Sequence, residues 1–293
     1  MTRFISSLAE IGADYDVALV DLWGCVHNGL VLNPGAEAAL QGFRQRGGYV
    51  VLVTNAPRPK DAVQARLDEM GLARDAYDAI ATSGDAAQEA MLLGAVGQRI
   101  WHLGPDKDDG FFADLPDWAT EHAPITRVGF DEAEGIVCTG PFDELRETPE
   151  DYRGRFLSAK ARGLKLLCAN PDIVVDYGEQ RIYCAGALAQ LYDEMGGESL
   201  YFGKPHPPIY DLARRLAAQV GLRFSEARVI AIGDGIATDI KGGAGEGFDT
   251  LFITSGLAAA EFGPDPDAPD QDRLAAWLTR QENQPNFAMA RLC

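Results

Sequence analysis

Four short segments of this 293-residue chain carry side chains suited to chemistry on an anion, and each follows an apolar run. The first is Asp21-Leu22-Trp23-Gly24. A carboxylate just past a strand's carboxyl end is placed for chemistry, because open α/β sheets bind ligands there. Gly24 lets the backbone turn its N–H groups toward an anion; a strand-ending turn is the other reading of Asp21. The second is Thr54-Asn55, whose hydroxyl and free N–H suit phosphate oxygens, or an ordinary turn before Pro57. The third is Gly203-Lys204-Pro205, where the flanking residues restrict the ammonium's direction and its charge can offset a carboxylate and a phosphate. The fourth is Gly233-Asp234-Gly235-Ile236-Ala237-Thr238-Asp239. Its two carboxylates repel unless a cation sits near them, and a few oxygen ligands with room for water suit Mg²⁺. Helix N-capping by Asp234 or Thr238 is the alternative.

The elements that must position these segments are legible as an alternation. Continuous β-branched runs at 17–21 (VALVD), 49–53 (YVVLV), 200–202, 228–232 and 249–254 read as buried parallel strands. Helical spacing fills 35–46, 60–70, 207–220, 238–245 and 271–280, with a polar tail of no evident structure after them. Strands at 99–103, 135–139 and 164–169 repeat the pattern in the middle, around a loop-rich acidic stretch at 104–124. The expected class is α/β, a doubly wound parallel sheet of Rossmann type with an inserted second α/β unit.

Composition excludes several classes. With 46% hydrophobic and 24% charged residues the chain is neither disordered nor fibrous. A net charge of −18 argues against nucleic acid as a partner. Five scattered cysteines without CxxC pairing read as reduced thiols. No apolar stretch approaches the ~20 residues that span a bilayer, and Glu10, Asp14 and Asp16 interrupt any signal-like start. The expectation is a cytoplasmic protein with no membrane or nucleic-acid partner.

The four segments, as DLWGCVHNG, VTNAPR, FGKPHPPIY and IAIGDGIATDI, resemble the haloacid-dehalogenase (HAD) superfamily, in particular the class IIA hydrolases of NagD and 4-nitrophenylphosphatase type. TSGDAA (82–87) and ANPD (169–172) are similar to stretches at the entrance to that group's cap and inside it. The resemblance implies a catalytic core over 1–84 and 198–293 with an inserted cap over 85–197. It implies a phosphatase acting on a small phosphorylated metabolite, with Asp21 carrying an aspartyl-phosphate. Mg²⁺ would be held by Asp21, Asp234 and the Trp23 carbonyl, and Asp239 would support the ion or pair with Lys204. Thr54 and the Asn55 N–H would hold phosphate oxygens, and Leu22 and Trp23, in the loop after Asp21, would also line the substrate site. Arg58, Asn170 and Asp172 are substrate contacts by family position. Cap-mediated dimers are common in the group, and no segment decides for or against a homodimer.

One departure bears on turnover. The group usually carries a second Asp two residues after the nucleophile as general acid and base, and here that residue is Trp23. Its indole N–H donates a hydrogen bond but exchanges no proton at neutral pH. Such acid–base help is worth ~10²–10⁴-fold, or roughly 3–5 kcal/mol. His27, with an ordinary pKa of about 6.5, is the nearest substitute. Otherwise the site needs substrates with good leaving groups, or the protein binds a phosphorylated ligand and turns over slowly. A metal-free dehalogenase has little use for the Asp234/Asp239 pair. A dinucleotide oxidoreductase fits worse, because GDGIAT ends in Thr238 where the fingerprint needs glycine and only one strand follows.

Overall fold

The computed structural model describes residues 2–113, 115–122, 124–177 and 180–293. Of the loop-rich stretch expected at 104–124, residues 114 and 123 lie outside the described set. The strands are, in chain order, β1 (Arg3–Phe4), β2 (Val17–Val20), β3 (Tyr49–Thr54), β4 (Ala79–Thr82), β5 (Arg99–Leu103), β6 (Thr126–Arg127) and β7 (Gly135–Cys138). They continue with β8 (Lys165–Cys168), β9 (Val174–Tyr177), β10 (Gln180–Tyr183), β11 (Glu198–Tyr201), β12 (Val229–Gly233), β13 (Asp249–Ile253) and β14 (Phe287–Met289). The chain divides into two compact units, one of Met1–Thr54, Gln64–Ala81 and Tyr210–Cys293, the other of Asn55–Val63 and Thr82–Ile209.

The first unit holds a seven-stranded sheet in the order β1-β14-β13-β12-β2-β3-β4, parallel from β1 through β3. All of β2 and β12 is buried, which is why their sequences are continuously apolar rather than alternating. The helix Ala36–Gln45 turns Ala36, Leu40 and Phe43 inward at 3–4-residue spacing. Register fixes where the chemistry emerges. Val20 lies opposite both Leu52 and Ile232, so Asp21, Thr54 and Asp234 leave the sheet at one carboxyl edge.

The second unit holds a five-stranded sheet, β11-β8-β7-β5-β6, and the antiparallel pair β9-β10. Its strands are parallel and covered on both faces: Ile136, Cys138, Leu166 and Cys168 enter one core, Val137 and Leu167 the other. Period-two alternation between two apolar layers makes every strand position hydrophobic.

Three expectations are corrected. The strand foreseen at 200–202 belongs to this second sheet as β11, in a unit that takes in residues 55–63, 82–84 and 198–209 besides 85–197. The tail after 280 is not structureless: β14 pairs with β13 and β1, and Ala288 and Leu292 are buried. The helix at 238–245 begins as a π turn, Ile236–Ile240, closed by the Ile240 N–H to Gly235 carbonyl bond of 3.1 Å. None of the five cysteines forms a disulfide. Among the described residues no helix is long and apolar enough to cross a membrane.

Candidate active site

In the first unit, the Asp21 N–H extends the sheet by donating to the Ile232 carbonyl at 2.9 Å. The loop after it is wound tightly: the Val26 and His27 N–H groups both donate to the Leu22 carbonyl, at 2.8 and 3.0 Å, and the Gly24 N–H to that of His27 at 2.9 Å. Asn33 Nδ2 donates to the Gly24 and Cys25 carbonyls at 3.3 and 2.9 Å. This winding carries the buried Cys25 thiol to the Asp21 carboxylate. One ligand atom each from Asp21, Cys25 and Asp234 lies within 4.8 Å of the others.

Asp234 is held from three sides. Its Oδ2 accepts the Leu257 N–H at 2.8 Å. A Cβ added to Gly24 or to Gly256 would land on the same oxygen, and Gly24 also has φ +81°, a conformation that only glycine takes cheaply. The carboxylate thus occupies a slot that side chains would fill. Donor atoms with this mutual spacing can surround one ion at bond lengths of roughly 2.0–2.6 Å, so the residues fit a divalent cation.

Asp239, expected to support the ion or pair with Lys204, is buried. Among the described residues the cluster leaves it out, and its Oδ2 takes the Gly235 N–H at 3.1 Å and the Thr238 hydroxyl at 3.2 Å. Gly233 and Gly235 leave space for that turn, since a Cβ at the first would strike the Asp239 carboxyl group and at the second the Thr238 hydroxyl. Neither Asp234 nor Thr238 caps the π turn: Gly235 stands at its N-cap without a side-chain bond. Thr54, the last residue of β3, is buried.

Trp23 and His27 pack as a pair, edge to face with ring centroids 5.5 Å apart. The indole lies on Gly29, where a Cβ would meet its outer carbons. His27, the candidate base, is buried. Burial, with the Arg66 charge adding to it, lowers its pKa to about 4, and Nδ1 accepts the Gly29 N–H at 3.0 Å. The imidazole braces the loop.

In the second unit, Asn55 clamps the backbone of Lys204: Oδ1 accepts the Lys204 N–H at 2.7 Å, and Nδ2 donates to the Lys204 carbonyl at 3.1 Å and to Asp172 Oδ1 at 2.8 Å. A Cβ at Gly203 would strike Asn55 Oδ1. The Asn170 side chain closes a turn by accepting the Asp172 N–H at 3.0 Å. Asn170 and Asp172 thus shape this loop. Arg58 Nε donates to the buried Asp108 at 3.1 Å. Its backbone packs on Gly84, where a Cβ would meet the Arg58 carbonyl. Thr82 caps the helix Ser83–Leu92 by accepting the Asp85 N–H, and Asp85 accepts the Lys60 N–H. TSGD is thus a clamp on residues 55–60.

Sequence reasoning missed Cys25, Gly256 and the Leu257 N–H. The signal for the last two is the Thr254-Ser255-Gly256 run directly after β13, at the same sheet edge as Asp234.

An α/β fold with an aspartate pair at the carboxyl edge of its parallel sheet defines a class that the comparisons identify. Residues 18–115 match the haloacid dehalogenase-like hydrolase family model, and residues 201–276 a second HAD-hydrolase-like model. A haloacid dehalogenase-like hydrolase from Brucella suis 1330 is 37% identical, with a TM-score of 0.84 over 99% of this chain and 100% of that one. The chain belongs to the haloacid dehalogenase-like hydrolases. It is 26% identical over 248 residues to the ribonucleotide monophosphatase NagD of Escherichia coli K12, covering 83% of this chain and 89% of that one. It is 28% identical over 254 residues to an acid sugar phosphatase of Staphylococcus haemolyticus, covering 85% and 88%.

Proposed function

We propose that this chain is a phosphatase that hydrolyses a small phosphomonoester through an aspartyl-phosphate at Asp21. The observation that carries the reading is the meeting of the Asp21 and Asp234 carboxylates at one sheet edge, in a chain whose relatives include two phosphatases of different substrates. A divalent ion, Mg²⁺ by family resemblance, held by Asp21, Asp234 and the Trp23 carbonyl, would neutralise the charge of the phosphoryl group.

The rest is the work of the chain's own residues. An Asp21 oxygen attacks phosphorus, the ester oxygen leaves, and water then cleaves the acyl phosphate to regenerate the carboxylate. Gly24 and Gly256 leave Asp234 its slot, so the second carboxylate is preorganised rather than repelled. Thr54 and the Asn55 N–H hold phosphoryl oxygens, and Lys204 supplies positive charge, roles that the resemblance assigns. Asp239 braces the 233–239 turn. The inserted unit is the cap that chooses the substrate, through the loop that Asn170 and Asp172 shape.

Trp23 sets the leaving group. Without an acid at this position the departing oxygen leaves as its anion, which favours aryl and acyl phosphates over alkyl esters. The slow, ligand-binding reading is supported by the absence of a carboxyl at position 23 and by the Nδ1 of His27 being occupied with the Gly29 N–H at 3.0 Å.

Phosphate release from 4-nitrophenyl phosphate and from a sugar phosphate, with Mg²⁺ and after chelation, tests the reading. Release should require the ion and vanish in Asp21→Asn. Release that survives in Asp21→Asn overturns the mechanism. Trp23→Asp should raise turnover on the sugar phosphate by about 10²-fold, the low end of acid–base help, and much less on the aryl ester; equal gains on both would show that the missing acid is not the limit.

A further inference from the structure

Cys25 is not explained by the reading above, which gives the ion only oxygen ligands. Its side chain is fully buried, yet its Sγ falls in the same 4.8 Å group as the Asp21 and Asp234 oxygens. The backbone that carries it is fixed, by Asn33 Nδ2 on the Cys25 carbonyl at 2.9 Å and by the Val26 and His27 N–H groups on Leu22. A thiol wound into a pair of carboxylates is more than core filling.

We propose that Cys25 is a third, conditional ligand of this site, making it a tight binder of thiophilic divalent ions such as Zn²⁺, Cd²⁺ and Co²⁺ as well as of Mg²⁺. The inference rests on the reading of Asp21 and Asp234 as ion ligands. Mg²⁺ is a hard ion and leaves the thiol protonated, bound by oxygen alone. A softer ion takes sulfur as well. The S–H bond breaks, its proton passes to water, and the sulfur electron pair forms the bond to the ion. Two carboxylates and one thiolate then surround the 2+ charge. One site thereby has two donor sets, and thiophilic ions compete with Mg²⁺ for the Asp21 and Asp234 oxygens.

Cobalt reads this directly. Metal-free protein titrated with Co²⁺ should show visible ligand-field bands with one equivalent bound, together with a near-ultraviolet sulfur-to-cobalt charge-transfer band. Cys25→Ser and, as a second variant, Cys25→Ala should keep the ligand-field bands, lose the charge-transfer band, and bind Cd²⁺ at least about tenfold more weakly, a scale that even outer-sphere changes reach. Their Mg²⁺ affinity should not change. Cys293→Ser, at the exposed cysteine, should keep the band. Ligand-field bands without charge transfer in the unaltered protein, or charge transfer that survives in Cys25→Ser, overturn the Cys25 assignment and leave the phosphatase reading standing. Complete failure to bind Co²⁺ and Mg²⁺ overturns both.

Discussion

Asp234 shows how much of a site is made by residues without side chains. Its Oδ2 sits where a Cβ of Gly24 or Gly256 would be. Gly24 also needs its positive φ, so a substitution there mixes strain with crowding, whereas Gly256 lacks a positive φ. Gly256→Ala is therefore the cleaner experiment. It should raise the metal concentration needed for half-maximal phosphate release by more than about tenfold, with the thermal midpoint little changed. Gly245→Ala, in a helix position with open space around it, should leave that concentration unaltered. At this scale the residue types alone do not distinguish the two carboxylates of the fourth segment, and only the resemblance gave them different roles. Asp234 and Asp239 look equivalent as letters five positions apart, and only the π turn separates them, sending one toward Asp21 and bending the other onto the Gly235 N–H. A π turn has no composition of its own to read. Cys25 and His27 were opaque for a related reason: the loop winding set by Asn33 and Leu22 decides which side chain is delivered to the carboxylates and which is buried as a brace.

Among the elements, the buried parallel strands were the most legible, because a strand covered on both faces must be apolar at every position. β2, β3, β12 and β13 fall within a residue or so of where their apolar runs place them. The two-residue strands β1 and β6 were not legible, since two residues carry no period, and β4 (Ala79–Thr82) lacks the continuous β-branched run that marks β2. Strand membership was less legible still: the 200–202 run reads as a strand on its own, but its sheet is decided by pairing with β8. The connection that follows is held by Asn55, whose amide satisfies both backbone groups of Lys204. Asn55→Ala strands a buried N–H, and such an orphan costs about 1–3 kcal/mol. Urea unfolding of Asn55→Ala should show a loss of roughly 2–4 kcal/mol once the lost carbonyl and Asp172 bonds are included. A loss under about 0.5 kcal/mol, the usual range for a surface change, would mean that the clamp is not structural.

For the molecule as a whole, the sequence foretold two α/β units but not how the first one is closed. β14 lies between β13 and β1, so residues near the end of the chain complete the sheet that its beginning joins. Ala288 sits in the same apolar cluster as Ile240, Phe252, Phe262, Leu274 and Leu278, while, among the described residues, two apolar clusters of the second unit are built from residues between Ala87 and Phe202. A charge introduced at position 288 should therefore act on one unit alone. An unpaired buried carboxylate costs several kcal/mol, a large share of the ~5–15 kcal/mol that holds a domain together. In Ala288→Asp, hydrogen exchange followed by mass spectrometry should show β12 and β13 losing protection while β7 and β8 keep theirs. Because Asp21 and Asp234 project from the sheet that β14 completes, the same variant should bind Co²⁺ and Mg²⁺ more weakly. Parallel loss of protection in β7 and β8 would mean that the two cores unfold as one, and that the packing of the first unit's sheet is a condition for the second.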